Sequence, residues 1–331
     1  MGKGNSCNRS AILCFCVILA IPHMSIADDV GRGGYAGSFS RMGLGARSMA
    51  MGGGSVGLAG NSNAAYYNPG ALVFLKGRHA TATLNTMALD RRLTYIGYAQ
   101  SLGDAVHAGE PGRIRAGFSI GWLSAGVSDI DGRNFNGEDI GTFSNNEHCF
   151  YFSFAIQPGP AIGVGFSAKL LYNRFPDLTD TGDAISSRGF GFDAGICFVP
   201  VPALSVGVAI HDLRSRYTWD TQNLWEKGTQ TVNAFPVVIR GGAAWCGFSR
   251  RLRITADIEK VEYCPSAIMT GVEYTVLESI SLRSGYYKSN ITFGAGYAFR
   301  RANHQYVLDY AYVPDPVAPG PNHHFTWSFL F

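Results

Sequence analysis

Charge is scarce in this 331-residue chain: Asp, Glu, Lys and Arg together make up 15%, against about 25% in an ordinary soluble domain. The 27 Lys and Arg nearly balance the 24 Asp and Glu, and no long block of like charge occurs. Such a chain cannot neutralise a run of phosphates, which excludes nucleic acid as a partner. Disorder is excluded as well, because 46% of the residues are apolar. Past residue 27 no uninterrupted apolar stretch of about 18 residues exists, so no transmembrane helix is available. Cysteine is sparse there too. Cys149, Cys197, Cys246 and Cys264 show no CxxC spacing and read as isolated small apolar residues, not as a disulfide scaffold.

The first 27 residues have the pattern of a secretory signal peptide. Lys3 and Arg9 form a positive start, Ala11 to Pro22 an apolar core, and Ser25-Ile26-Ala27 a small-x-small cleavage site. Without Lys3 and Arg9 the mature chain keeps 25 cations against 24 anions, close to neutral.

What the chain does contain is alternation. Phe150, Phe152, Phe154 and Ile156 fall on one face, with Tyr151, Ser153, Ala155 and Gln157 on the other. Ile162, Val164, Phe166, Ala168 and Leu170 repeat the pattern, as do Phe190, Phe192, Ala194, Ile196 and Phe198. A side-chain period of two means extended strand. Runs of this kind lie near 78–87, 92–101, 113–124, 147–157, 160–174, 188–199, 203–213, 233–247, 251–262, 266–276, 279–288, 290–301, 303–313 and 322–331. The first two commit least clearly to a face, since Tyr95, Ile96 and Tyr98 are all large and apolar. Helical periodicity is nearly absent after residue 78, so the chain reads as all-β.

Fourteen runs of about ten residues suit strands that cross a bilayer at a tilt. One face of each run is long, apolar and aromatic, as lipid contact requires. The other is rich in Gly, Ser and Thr, with a few charges: Arg115, Lys169, Asp193, Arg240, Arg253, Asp257, Glu259, Glu273, Arg283 and Asp309. That is too little charge for the wet exterior of a soluble barrel and fits a lumen. A bilayer demands that backbone groups pair internally, which a closed barrel achieves. Connection lengths agree. Gln157 to Pro160, Pro200 to Pro202, Gly247 to Arg250 and Val276 to Ser279 form short turns on one side, and 125–146, 175–187 and 214–232 form long loops on the other. The expectation is a 14-stranded antiparallel transmembrane β-barrel over residues 78–331. Its partners would be outer-membrane lipid and the barrel-assembly machinery, and its location the outer membrane of a Gram-negative-type cell after export.

The last strand carries Trp327, Phe329 and Phe331 at alternate positions. This stripe resembles the C-terminal signal by which outer-membrane barrels are recognised for insertion. Residues 28–77 precede the first strand and are rich in Gly, Ala and Met. Fourteen strands enclose more space than small inward side chains can fill, since about eight strands already suffice for a filled interior. The N-terminal segment is the spare chain of suitable size to occupy it.

That segment also carries a motif. Gly45 to Gly53 reads GARSMAMGG and Asn63 to Leu72 reads NAAYYNPGAL. These stretches resemble the start of the PorV/PorQ family, relatives of the FadL-type barrels, which begin GARxMGMGGA and continue NAxxxNPAGL. Here Gly70-Ala71 stands where Ala-Gly is usual. In FadL-type proteins the N-terminal segment folds into the lumen as a hatch. The resemblance therefore implies a hatch over 28–77, with Asn68, Pro69 and Gly70 at its turn. It also implies a role accessory to protein secretion or surface attachment, of type IX kind, with secreted cargo or secretion-system components as partners. The alternative is a FadL-like transporter of hydrophobic small molecules.

Other chemistry is thin. Gly52-x-Gly54-x-x-Gly57 matches the dinucleotide fingerprint in letters but lacks the strand before it and the βαβ unit after it. The acids Asp129, Asp131, Glu138 and Asp139 fail EF-hand spacing. His323 and His324 point to opposite faces of a strand and cannot share a metal. His211-Asp212 has no nucleophile beside it in sequence to complete a catalytic set. No enzyme activity, cofactor or metal is expected. The first test is biochemical: the protein is expected to fractionate with the outer membrane and to migrate differently on a gel before and after boiling. Recovery as a soluble periplasmic protein would remove the membrane reading.

Overall fold

The computed structural model describes residues 35–103, 115–176, 184–222, 227–315 and 320–331. The signal peptide and the first residues of the N-terminal segment lie outside them. Sixteen strands occur among the described residues: β1 (Arg78–Met87), β2 (Arg91–Leu102), β3 (Arg115–Arg133), β4 (Asp139–Gly159), β5 (Ile162–Phe175), β6 (Ile185–Val201), β7 (Leu204–Leu213), β8 (Arg216–Asp220), β9 (Gln230–Ala234), β10 (Val238–Gly247), β11 (Leu252–Val261), β12 (Ala267–Leu277), β13 (Ile280–Tyr287), β14 (Asn290–Arg301), β15 (His304–Pro314) and β16 (Pro321–Leu330). Fourteen of them close into an antiparallel ring. Neighbours in sequence pair throughout, β10 pairs with β7, and β1 joins β16 to shut the barrel. That last seam runs from His79 opposite Leu330 to Thr86 opposite His323.

The alternation legible in the sequence sets which side faces out. Phe150, Phe152, Phe154 and Ile156 on β4 are exposed, while Tyr151, Ser153, Ala155 and Gln157 are buried. On β2 the ambiguous residues divide cleanly: Tyr95 is buried inside and Ile96 is exposed outside. Aromatic rings gather at two levels on the outer face. Trp122, His148 and Tyr172 stack in a row on β3, β4 and β5. Phe299, Tyr306, Phe329 and Phe331 cluster near the opposite end. Two such girdles bracket the apolar band of outer-membrane barrels. The end holding Arg78, Phe331 and the tight turns corresponds to the periplasmic side of such barrels.

Two long connections differ from the sequence expectation. Residues 125–133 and 139–146 continue β3 and β4 as a tall hairpin instead of forming a loop, pairing as far as Arg133 opposite Asp139. Exposed polar alternation gave no sign that pairing would continue above the apolar band. The run expected over 233–247 starts as strand only at Val238. Residues 230–234 form β9, which pairs with β8 in a separate small hairpin.

Residues 35–76 run along the inward faces of the barrel strands. They contain two short helices, α1 (Ala46–Ala50) and α2 (Ala64–Tyr67), and a 3-10 turn over Pro69–Phe74. Most of their residues from Gly43 to Leu75 are buried. The close approach depends on glycine in the wall. A Cβ on Gly165 of β5 would lie 2.3 Å from the carbonyl carbon of Pro69, and one on Gly207 of β7 would lie 2.1 Å from the Val56 oxygen. Backbone meets backbone at these points, so no side chain can swing aside. Gly165→Val is therefore expected to push Pro69 off the wall, with about 1–3 kcal/mol of destabilisation from overpacking and a new steady conductance in planar bilayers. A variant with unchanged stability and conductance would show that the segment yields without leaving its place.

Candidate functional site

Asn68, Pro69 and Gly70 form a pinned turn. The Asn68 side-chain amide donates to the Val56 oxygen at 3.0 Å and to the Ile196 oxygen of β6 at 2.9 Å. Its carbonyl oxygen accepts from the Gly70 N–H at 3.0 Å, capping the 3-10 turn. One buried asparagine thus ties two parts of the N-terminal segment to the barrel wall. Gly70 sits against β5 and β6, where a Cβ would lie 2.6 Å from the Gly195 oxygen.

The inward charges meet in three clusters. Glu273 on β12 is the hub of the first. It accepts two hydrogen bonds from Arg47 of α1, both at 2.8 Å, one from Arg283 at 2.7 Å, and one from Arg253. Arg283 also reaches Asp309 of β15 at 2.8 Å. In the second, Lys169 of β5, only 2% exposed, lies 2.7 Å from Asp193 and 2.5 Å from Asp212. Ser40 of the N-terminal segment donates to Asp212 at 3.2 Å, and His211 faces Asp193 at 3.5 Å. The third joins Arg240 and Lys288 to Glu259. Asp257 instead accepts the backbone N–H groups of Ser55 and Val56 at 2.7 and 2.9 Å, and Arg115 donates to the Leu75 oxygen at 2.7 Å. Lone buried charges are costly, so paired burial is the arrangement expected away from water.

Two tyrosines of α2 complete the packing. Burial pushes the Tyr66 and Tyr67 hydroxyls above the ordinary tyrosine range, so both remain protonated. Tyr66 donates to the Ser40 oxygen at 2.7 Å and accepts from the Gly43 N–H at 3.1 Å. Tyr67 does the same for the Leu44 oxygen and N–H at 2.7 and 3.0 Å. Beside this cluster a cavity of about 10 Å³ is lined by Ser40, Arg41, Tyr66, Lys169, Asp212 and Arg240 among others. That is room for about one water molecule.

A second, larger space was not legible in the sequence. β7 pairs regularly with β6 up to Ile210 opposite Ala194, slips register by Leu213 opposite Phe192, and ends there. Asp212 and Arg214 adopt positive φ values of 61° and 57° as the chain turns away. Above this point β6 has one bridge on that side, Arg188 opposite Thr218 of β8. The interrupted wall leaves a recess of about 800 Å³. Phe190, 66% exposed on the lipid-facing side, stands at its mouth. Phe192, Val232, Phe235 and Tyr263 line it together with the charged Arg188, Arg214, Arg216 and Glu262, and Asp212 lies where it abuts the inner charged cluster.

The remaining sequence candidates take structural places. Gly52 and Gly57 pack against backbone atoms of β12, β13 and β10. His324 points inward and is buried, while His323 faces outward, its ring 2.8 Å from the Tyr310 hydroxyl. Cys149, Cys197, Cys246 and Cys264 are free. Trp327 and Phe331 are exposed on the outer face, and Phe329 packs beside Phe331. What sequence reading missed was Arg47 as the partner of Glu273, a contact spanning 226 positions.

Replacing the hub tests its weight. Glu273→Gln leaves Arg47, Arg253 and Arg283 with only Asp309 to balance them. Breaking a buried pair of this type costs about 3–5 kcal/mol. The expected result is a lower urea midpoint together with faster proteolysis within residues 35–76. An unchanged midpoint would show that the arginines find other partners.

No protein-family model matches the sequence, and no curated protein matches it significantly. Solved structures do match in fold. The toluene transporter TodX of Pseudomonas putida superposes with a TM-score of 0.57 at 16% identity, over 87% of this chain and 96% of TodX. The monoaromatic hydrocarbon channel CymD gives 0.55 at 13%, over 87% and 96%. A FadL homologue of Pseudomonas aeruginosa gives 0.54 at 14%, over 84% and 95%. These likenesses support the FadL side of the sequence resemblance and lend nothing to its PorV/PorQ side. The chain has the barrel fold of FadL-type hydrocarbon channels.

Proposed function

We propose that this protein is a FadL-like transporter of hydrophobic small molecules in a Gram-negative-type outer membrane, with residues 28–77 serving as its hatch. The observation that carries the reading is the recess where β7 leaves β6. It joins a lipid-facing mouth at Phe190 to the inner cluster at Asp212, beside the N-terminal segment. A compound of low polarity gains by leaving water for the aromatic part of this wall, Phe190, Phe192, Phe235 and Tyr263.

The ion pairs bear on how a hatch would work. The inward charges are paired with one another or with the N-terminal segment. Moving that segment would require separating Arg47 from Glu273 and Ser40 from Asp212, so the resting state is closed. The secretion-accessory role rests on the motif in Gly45–Gly53 and Asn63–Leu72 alone.

The test is uptake. The full chain, expressed in a Gram-negative host lacking its own fatty-acid channel, is expected to raise uptake of radiolabelled toluene or oleate several-fold over empty vector. Ala234→Trp, which fills the recess, should abolish the gain while the barrel still shows heat-modifiable migration. No gain with either compound would reject the transport reading and return attention to the motif.

A further inference from the structure

The outer face at the rim of the recess carries a concentration of positive charge, three of its arginines being among the residues that line the recess. Arg174 on β5, Arg188 on β6 and Arg216 on β8 are all exposed. Register places them on one outward surface. Tyr172 lies opposite Arg188, Arg174 opposite Ser186, and Arg188 opposite Thr218. Arg174 and Arg216 are therefore both diagonal to Arg188. Diagonal positions in an antiparallel sheet stand about 7–8 Å apart, within reach of long side chains. Arg214, also exposed, lines the recess below them.

Among the described residues none of these four arginines has an ion-pair partner. Among the described residues the acids nearby are few; Asp177, Asp180 and Asp183 of the β5–β6 connection lie outside them. Asp220 is exposed on β8 and caps the Gln222 N–H at 3.0 Å, Glu262 at the recess accepts the Val237 N–H at 3.2 Å, and Asp212 is held by Lys169. Like charges gathered on one face repel one another unless an anion sits among them. The charges inside the barrel, by contrast, are held in the three clusters described above.

Its height on the barrel identifies the anion. The rings of Trp122, His148 and Tyr172 form the upper girdle, and Tyr172 lies directly opposite Arg188. Immediately below come Leu170, Phe190 and Phe166, all exposed and apolar. Aromatic girdles mark the level at which hydrocarbon gives way to headgroups. Arg174 and Arg188 thus stand at headgroup level on the end opposite the short turns, while Arg216 is level with Phe190 and Arg214 lies lower against the recess, from where their long side chains reach up toward the same level. A ligand there has phosphate at the level of the guanidinium groups and acyl chains against Phe166, Leu170 and Phe190. Guanidinium suits phosphate because its planar fork donates two parallel hydrogen bonds.

We infer that Arg174, Arg188 and Arg216, with Arg214, bind the phosphate of a lipid A-type glycolipid in the outer leaflet, docking it at the β5–β6–β8 face beside the recess. The inference rests on the barrel lying in an outer membrane and not on transport.

The experiment purifies the full-length barrel in detergent after incubation with diphosphoryl lipid A and counts retained lipid by native mass spectrometry. The wild type is expected to retain the lipid about tenfold better than Arg188→Ser/Arg216→Ser, as expected for the loss of charge-assisted hydrogen bonds. Retention should also fall as salt is raised. Arg300→Ser/Arg301→Ser, at the exposed periplasmic end of β14, serves as the control and should retain lipid like the wild type. Heat-modifiable migration verifies folding of each variant. Should the double variant not fold, the wild type alone decides through dephosphorylated lipid A and inorganic phosphate. Equal binding of the dephosphorylated lipid would reduce the site to apolar contact and overturn the inference. Full displacement by inorganic phosphate would make it a bare anion site and overturn it as well. Equal retention by wild type and double variant would do the same, while the transport reading is judged separately by toluene and oleate uptake through the wild-type chain.

Discussion

The structure depends on closure of the backbone hydrogen-bond ring. In hydrocarbon an unpaired N–H or C=O costs several kcal/mol, so a sheet edge cannot face lipid. The β1–β16 seam removes the last edge, and Arg78 and Phe331 exchange backbone hydrogen bonds of 3.0 Å at its foot. Once the ring is shut with fourteen strands, its circumference is set, and so is an interior wider than the inward side chains can fill. The inward glycines and serines then follow from what enters that interior. A second backbone passes against the wall at Gly163, Gly165 and Gly207, and larger residues there would collide with it.

Electrostatics follows from the same confinement. Most of the charges inside the barrel are buried, so each needs a partner at short range. Glu273 balances arginines from α1 and two strands, and Lys169 balances two aspartates. Replacing such pairs by apolar residues often costs little, whereas removing one member costs much. Their presence therefore says less about net stability than about where the N-terminal segment sits. Arg47 and Ser40 can meet Glu273 and Asp212 only in one placement of that segment.

The wall is uniform except where β7 stops at Leu213. A register slip, two non-glycine residues at positive φ and the small β8–β9 hairpin together interrupt the ladder. The recess, the lipid-facing Phe190 and the exposed Arg188, Arg214 and Arg216 all lie at this interruption. A closed barrel can afford such a gap only near its outer end, where headgroups and water can satisfy freed backbone groups.

By itself the sequence determined the fold class, the strand number of the barrel and the direction of almost every side chain. The reason is that a bilayer imposes a strict two-residue period, and Phe150 to Ile156 or Ile162 to Leu170 display it without reference to any distant residue. It also marked Asn68, Pro69 and Gly70 as a turn, because proline and glycine restrict or free the backbone locally. Only the tertiary structure decided which charges pair, where β3 and β4 stop, and where the wall opens. Arg47 and Glu273 are 226 positions apart. The Phe192–Leu213 slip is set by the fit between two strands, and the arginines of β5, β6 and β8 become neighbours only through register. Such contacts are properties of strand pairing across the ring, and no local period encodes them.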